Sequence, residues 1–168
     1  MKKKTILIPT DFSVKSLNIV KSALSINGDC ELRILLVHGL ELPDSMTDLL
    51  LFSKKKLLEE LETKEFRASC QMLISKYDSN LIELSVDIFS GYNKRAFENY
   101  IEANEVDEIY ALADHDFLPR HKSSFDLMPF INKSSTNLIK VKWMSLGENF
   151  KQERDELSGI FFNQLSSI

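Results

Sequence analysis

Glycine is scarce in this sequence, with five in 168 residues and none between Asn93 and Leu146. Backbone that must come close to a phosphate is usually glycine, so that long span offers no bare cradle of N–H groups. Cysteine is scarcer still. Cys30 and Cys70 lack any C-x-x-C spacing, which argues against a disulfide framework and a structural zinc site and reads instead as two reduced thiols in a cytosolic protein. Long apolar runs are missing too: the densest, Leu49–Phe52, is closely followed by lysines, and spanning a bilayer takes roughly 18–20 apolar residues. The apolar run behind Lys2-Lys3-Lys4 is far too short for a signal peptide. Positive charge is in deficit, with 21 Lys and Arg against 25 Asp and Glu and a net charge of −4, so there is no electrostatic footprint for nucleic acid. The expectation is a soluble cytoplasmic protein with no nucleic-acid partner, no membrane partner and no cofactor.

What is present is ordinary globular material, 43% hydrophobic and 27% charged, enough for one core covered on both faces. Ile6-Leu7-Ile8 reads as a buried strand running into Pro9-Thr10-Asp11. Ser13 is placed to cap a helix carrying Leu17, Val20 and Leu24, which Asn27-Gly28-Asp29 ends, with Gly28 suited to a left-handed C-terminal turn. Leu32 to Val37 is a second, fully covered strand. Beyond Pro43 the pattern predicts a helical region from about Ser45 to Tyr77, with Ser45 and Asp48 as a capping box and Leu50, Leu57, Leu61, Ala68 and Met72 as its apolar stripe. The lysines and glutamates beside that stripe read as a solvated face. Ile82, Leu84, Val86 and Ile88 alternate with polar residues, as in a strand near a sheet edge. Asn93 opens a helix bearing Ala96, Phe97, Tyr100 and Ile101. Ile109 to Leu112 is the fourth strand, Phe125 to Ile131 is helical despite Pro129, and Leu138 to Trp143 is the fifth strand. Strands alternating with helices predict an α/β fold with a parallel sheet and helices on both faces.

Several segments resemble the universal stress protein (UspA-like) family. Lys4-Thr5-Ile6-Leu7-Ile8-Pro9-Thr10-Asp11-Phe12-Ser13 is similar to that family's first strand and loop, and Leu35-Leu36-Val37-His38 to its second strand. Gly91 falls where the family has a glycine before its third helix, and Val106-Asp107-Glu108-Ile109 matches its lead into strand four. The resemblance covers about residues 4 to 143. It implies a Rossmann-like five-stranded parallel sheet of order 3-2-1-4-5, commonly assembled as a homodimer. ATP-binding members carry G-x2-G-x9-G-[ST] after strand four. The aligned positions here are Leu112, His115 and Ser124 or Phe125, which is the divergence: bulk and the added carboxylate of Asp114 would oppose a triphosphate. A universal stress protein-like domain is therefore expected at residues 1–146, without ATP.

Asp11 and Asp114-His115-Asp116 belong at the carboxyl ends of strands one and four, where ligand crevices form in open α/β sheets. If the crevice takes a nucleotide, anion or metal, Thr10, Asp11, Asp114 and His115 are the candidate residues, with His121 as a further imidazole for a metal. The competing reading is a polar loop in which Asp114 or Asp116 caps the next turn. Arg120-His121-Lys122 with Ser123-Ser124 reads either as an anion site at a helix start or as an exposed basic loop. Catalytic motifs are lacking: there is no G-x-S-x-G, P-loop or H-E-x-x-H, and neither cysteine reads as an activated nucleophile. The expected role is thus non-enzymatic, in stress response through protein contacts. Two surfaces fit it. A fifth strand at the sheet edge suits pairing across a two-fold axis in a homodimer. The segment 147–168, with Phe150, Leu157, Ile160, Phe161, Leu165 and Ile168 at helical spacing, forms an amphipathic extension that covers its own sheet, exchanges across a dimer or docks on a protein partner. A ligand-binding domain is the alternative class, and a hydrolase of phosphorylated small molecules a third.

Overall fold

A computed structural model describes residues 2–142. The 147–168 extension, Trp143 and the boundary at 146 lie outside the described residues. Four long or medium strands, β1 (Lys2–Pro9), β2 (Cys30–Leu40), β3 (Leu81–Phe89) and β4 (Glu108–Leu112), precede a two-residue β5 (Ser124–Phe125) and β6 (Asn137–Val141). The parallel sheet runs β3-β2-β1-β4-β6, with β5 antiparallel against the end of β2. This is the expected 3-2-1-4-5 order, with the last sheet strand numbered six because β5 intervenes.

The core follows from strand geometry. Successive side chains point to opposite faces, so Ile6, Ile8, Ile34, Leu36 and Tyr110 meet one layer while Leu7, Leu35, Val37, Ile109 and Ala111 meet the other. The first face is covered by α1 (Leu17–Ile26), α3 (Lys54–Leu61) and α4 (Lys64–Lys76). The second is covered by α5 (Lys94–Ala103), capped by Asn93 Oδ1 accepting from Ala96 N at 2.9 Å, and the short α6 (Met128–Ile131).

Four expectations are corrected. The region 45–77 is three helices, because α2 (Met46–Leu51) stops at Phe52 and α3 at Glu62, and Ser53 and Thr63 each restart a helix as N-cap. A hydroxyl that can bond an amide three residues on competes with continuation of the helix. The Ser45 cap itself forms, with Asp48 N donating to Ser45 Oγ at 3.0 Å. The buried stripe accordingly differs: Leu61, Phe66 and Leu73 are buried, while Leu50 and Met72 are exposed. Gly28 does not adopt a positive φ. Asn27 ends α1 instead, its Nδ2 donating to Ala23 O and to Tyr110 Oη, both at 2.9 Å. Ile82 is exposed because the β2–β3 register shifts between Leu32 and Arg33, leaving it between the partners Leu81 and Glu83. Finally, Ser124–Phe125 is strand, and the helix begins only at Met128. A glycine at position 39 lets Phe125 lie directly against β2, with register Gly39↔Phe125.

Candidate functional site

The carboxyl ends of β1, β2 and β4 open into a cleft of about 40 Å³, enough for a few water molecules. Its floor is built by the loop after β1. Phe12 there has φ 60° although it is no glycine, and its side chain is fully buried. Local bonds hold the turn: Phe12 N donates to Thr10 Oγ1 at 3.0 Å, and Ser13 N donates to Asp11 Oδ1 at 2.9 Å. From across the cleft Arg120 Nε donates to Asp11 O at 3.0 Å. A strained backbone held by this many partners is a feature that clusters at functional sites.

Beside Phe12 lies His38, 1% exposed, its ring centroid 4.9 Å from the phenyl ring. His38 Nδ1 is 2.7 Å from Thr10 O and Nε2 is 2.8 Å from Ser124 Oγ. A carbonyl can only accept, so Nδ1 carries the hydrogen. Burial holds the His38 pKa below its ordinary 6.5 despite the Thr10 bond and Asp11, which leaves Nε2 as an acceptor for the Ser124 hydroxyl. Ser124 Oγ in turn accepts from His121 N at 3.1 Å. Since the unfolded chain binds this proton first, stability is full above 6.5 and falls as pH drops toward the lowered folded value. The expected loss is at most about 1.4 kcal/mol per pH unit, the slope for one proton. Urea midpoints measured between about pH 7.5 and about pH 5 should show it in the wild type and not in His38→Gln; identical pH dependence in both proteins would refute the assignment.

Of the residues singled out in the sequence, Thr10, Asp11 and His115 line this cleft, and Asp114 is exposed and outside its lining. His115 Nε2 bonds Asp126 Oδ1 at 2.9 Å, and the same oxygen accepts from Met128 N at 3.0 Å. Asp126 thus links the His115 ring to the first amide of α6. Among the described residues no three His, Cys, Asp or Glu side chains converge as metal ligands. His121 serves its own loop, accepting from Ser123 N at Nδ1, 3.1 Å. Ser123–Ser124 opens a strand rather than a helix, so a helix-start anion site does not form there. Cys70 is half-buried, and burial, with Glu62 nearby, pushes its thiol up to about 11, far from an activated thiolate.

No protein-family model and no curated protein matches the chain. Its likeness to known proteins is structural. The universal stress protein UspA from Lactobacillus plantarum superposes with a TM-score of 0.53 at 20% identity, over 84% of this chain and 99% of that one. The fold is that of the universal stress proteins. A universal stress protein from Archaeoglobus fulgidus gives 0.47 at 14% identity over 84% and 96%, and a universal stress protein family protein from Arabidopsis thaliana with AMP bound gives 0.45 at 11% over 84% and 93%. Within the universal stress protein fold of this chain, Leu112, His115 and Phe125 side chains line the cleft where glycines were sought. Phe125 is fixed there by Phe89 and Phe130, at ring distances of 6.3 and 6.0 Å. Among the described residues no helix is long and apolar enough to cross a membrane.

Sequence reasoning missed His38 and Ser124 as partners. They stand 86 positions apart, and neither sits in a motif that announces the other. The available signal was a histidine directly after the apolar run Ile34–Val37, a polar group that burial obliges to find a partner.

Proposed function

We propose that this universal stress protein-like domain works in stress response without ATP, through protein contacts, as a homodimer paired along β6. One observation carries the reading: the cleft at the carboxyl ends of β1 and β4 holds about 40 Å³ and is lined by Leu112, His115 and Phe125. A polyphosphate needs backbone N–H groups within reach and no intervening side chain, and the carboxylates Asp11, Asp116 and Asp126 around the cleft add repulsion. The homodimer is supported by β6, which among the described residues pairs only with β4. An edge of that kind favours a second strand. The segment 147–168 is proposed as the contact for a protein partner.

Melting curves with ATP, AMP, cyclic AMP and divalent metals test the nucleotide half. A ligand at 100 times its Kd stabilises by about 2.7 kcal/mol, worth about 5–10 °C in a domain of this size. No nucleotide shift is expected at millimolar concentration, and a shift of that size with ATP would overturn the reading. Sizing chromatography tests the other half, with twice the 19.3 kDa of one chain as the expected mass. A second reading, a small ligand held by Thr10, Asp11 and His115, is favoured by their common place in the cleft. The same melting curves would reveal it.

A further inference from the structure

We propose that the segment 147–168 docks in cis on the apolar face of α2, so that a protein partner must displace it from there. Helix α2 is only six residues long, and none of them is buried. Met46 is 75% exposed, and Leu50 and Leu51 are each 79% exposed. Met46, Leu49 and Leu50 stand at i, i+3 and i+4, hence on one face. A helix this short is not stable in water by itself and draws its stability from packing of an apolar face. Among the described residues nothing buries these side chains. The sheet, by contrast, already carries helices on both faces, so an amphipathic segment finds no open apolar layer there.

Three properties of the chain select the occupant. The segment has its own stripe, Phe150, Leu157, Ile160, Phe161, Leu165 and Ile168, which recurs at helical spacing and needs an apolar counterpart. It also starts at the right rim. β2 and β6 are parallel strands of one sheet, three strand spacings apart, or about 15 Å. The chain therefore leaves β6 on the side where β2 leads into α2. Leu40 and Met46 are at most about 21 Å apart, while the eight steps from Lys142 to Phe150 reach up to about 26 Å. A helical 150–168 adds about 27 Å. Charge agrees as well. Glu148, Glu153, Asp155 and Glu156 outnumber Lys151 and Arg154, and α3 opens shortly after α2 with Lys54, Lys55 and Lys56, all exposed. Lys54 is engaged by Asp87. Among the described residues neither Lys55 nor Lys56 forms an ion pair with Glu59 or Glu60, one turn on. Those two ammonium groups suit the carboxylates of the segment and set its register. Asp48, the one acid on α2, accepts from Ser45 Oγ at 2.7 Å. The same apolar stripe cannot lie on α2 and on a partner at once, so α2 competes with the partner contact proposed above. The docking itself does not rest on that contact.

The test uses full-length protein, an equal mixture of unlabelled and heavy-isotope chains, coupled with a carbodiimide and mapped by mass spectrometry. This reagent joins an amine to a carboxylate already in contact with it. Links are expected from Lys55 or Lys56 to Glu148, Glu153, Asp155 or Glu156, each within a chain of one isotope. The Lys54–Asp87 link is the internal control. Links joining the two isotopes would overturn the proposal and assign the segment to a second copy. The control link with no link to 148–156 would overturn it too. Hydrogen exchange supplies a second arm, with the double variant Leu50→Ser, Leu51→Ser. Both leucines are exposed, so the sheet does not need them. Amides of 148–168 should exchange at least about 10-fold faster in that variant, with β1 and β2 unchanged. Equal exchange of 148–168 in both proteins sinks the docking. No partner protein is present in either arm, so a failure here leaves the partner contact of 147–168 to be judged by its own binding measurement.

Discussion

Replacing Phe12 by alanine is expected to lower stability by about 3–5 kcal/mol, the usual range for emptying a large aromatic site in a core. Phe12 is fully buried, with its ring 4.9 Å from that of His38 and 5.6 Å, edge-on, from that of Phe66. Removing it strips packing from α4 and from the imidazole at once. In a domain of this size the melting temperature should fall about 2–4 °C for each kcal/mol. The backbone supplies a sharper version of the test. With φ at 60°, any side chain at this position costs about 1–2 kcal/mol that glycine avoids. Phe12→Gly should therefore be no less stable than Phe12→Ala, whereas in a relaxed element glycine is worse by about 0.5–1 kcal/mol. If glycine proves clearly the worse of the two in urea midpoints, the left-handed turn beneath the cleft is wrong. Conservation of the m-value would confirm that the loss lies in the native state.

Those interactions explain which parts of the molecule the sequence displays. Strands covered on both faces are apolar at nearly every position, so Ile6-Leu7-Ile8 and Leu32–Val37, in which Arg33 is the polar exception, are legible without knowledge of their neighbours, although β2 extends further, over Cys30–Leu40. Caps are legible where one hydroxyl or amide decides the matter, as at Ser45 and Asn93. The long helical region is misread because its periodicity is read across Ser53 and Thr63, whose capping bonds only the folded chain reveals. Ile82 is misread for a related reason. Alternation assumes an unbroken register, and the shift opposite Leu32 and Arg33 is a property of two strands rather than one. In the site, the absence of glycine after β4 is visible in the sequence, while the side chains that fill the space become visible only when β5 folds against β2. Thr10, Asp11 and His115 can be placed at strand ends by topology alone. The His38–Ser124 contact cannot, since it requires β5, and nothing in Ser123-Ser124-Phe125 marks a two-residue strand.

Gly39 is the position on which that strand depends, and Gly39→Val should cost about 3 kcal/mol, the upper end for overpacking. A Cβ there would stand 2.5 Å from Phe125 O and 2.9 Å from two atoms of the Phe125 ring. The nearest atom is backbone, so no rotamer change relieves the clash. Phe125 cannot retreat easily either, because Phe89 and Phe130 hold its ring. The substitution is expected to push β5 off β2, breaking the Gly39↔Phe125 and Leu40↔Ser124 register and the bond from Glu41 N to Ser123 O at 2.9 Å. Ser124 then loses its place against His38 Nε2. A buried imidazole N–H signal in NMR should therefore persist, because Thr10 O still accepts it, while the hydroxyl signal of Ser124 exchanges faster. Gly28→Ala is the control: nothing lies within 4 Å of its added carbon and its φ is not positive. That change should be neutral or stabilise by about 0.4–1 kcal/mol through the unfolded chain. A Gly39→Val protein that melts with the wild type would mean that β5 does not press on β2, and the cleft would lose the wall that sets its size.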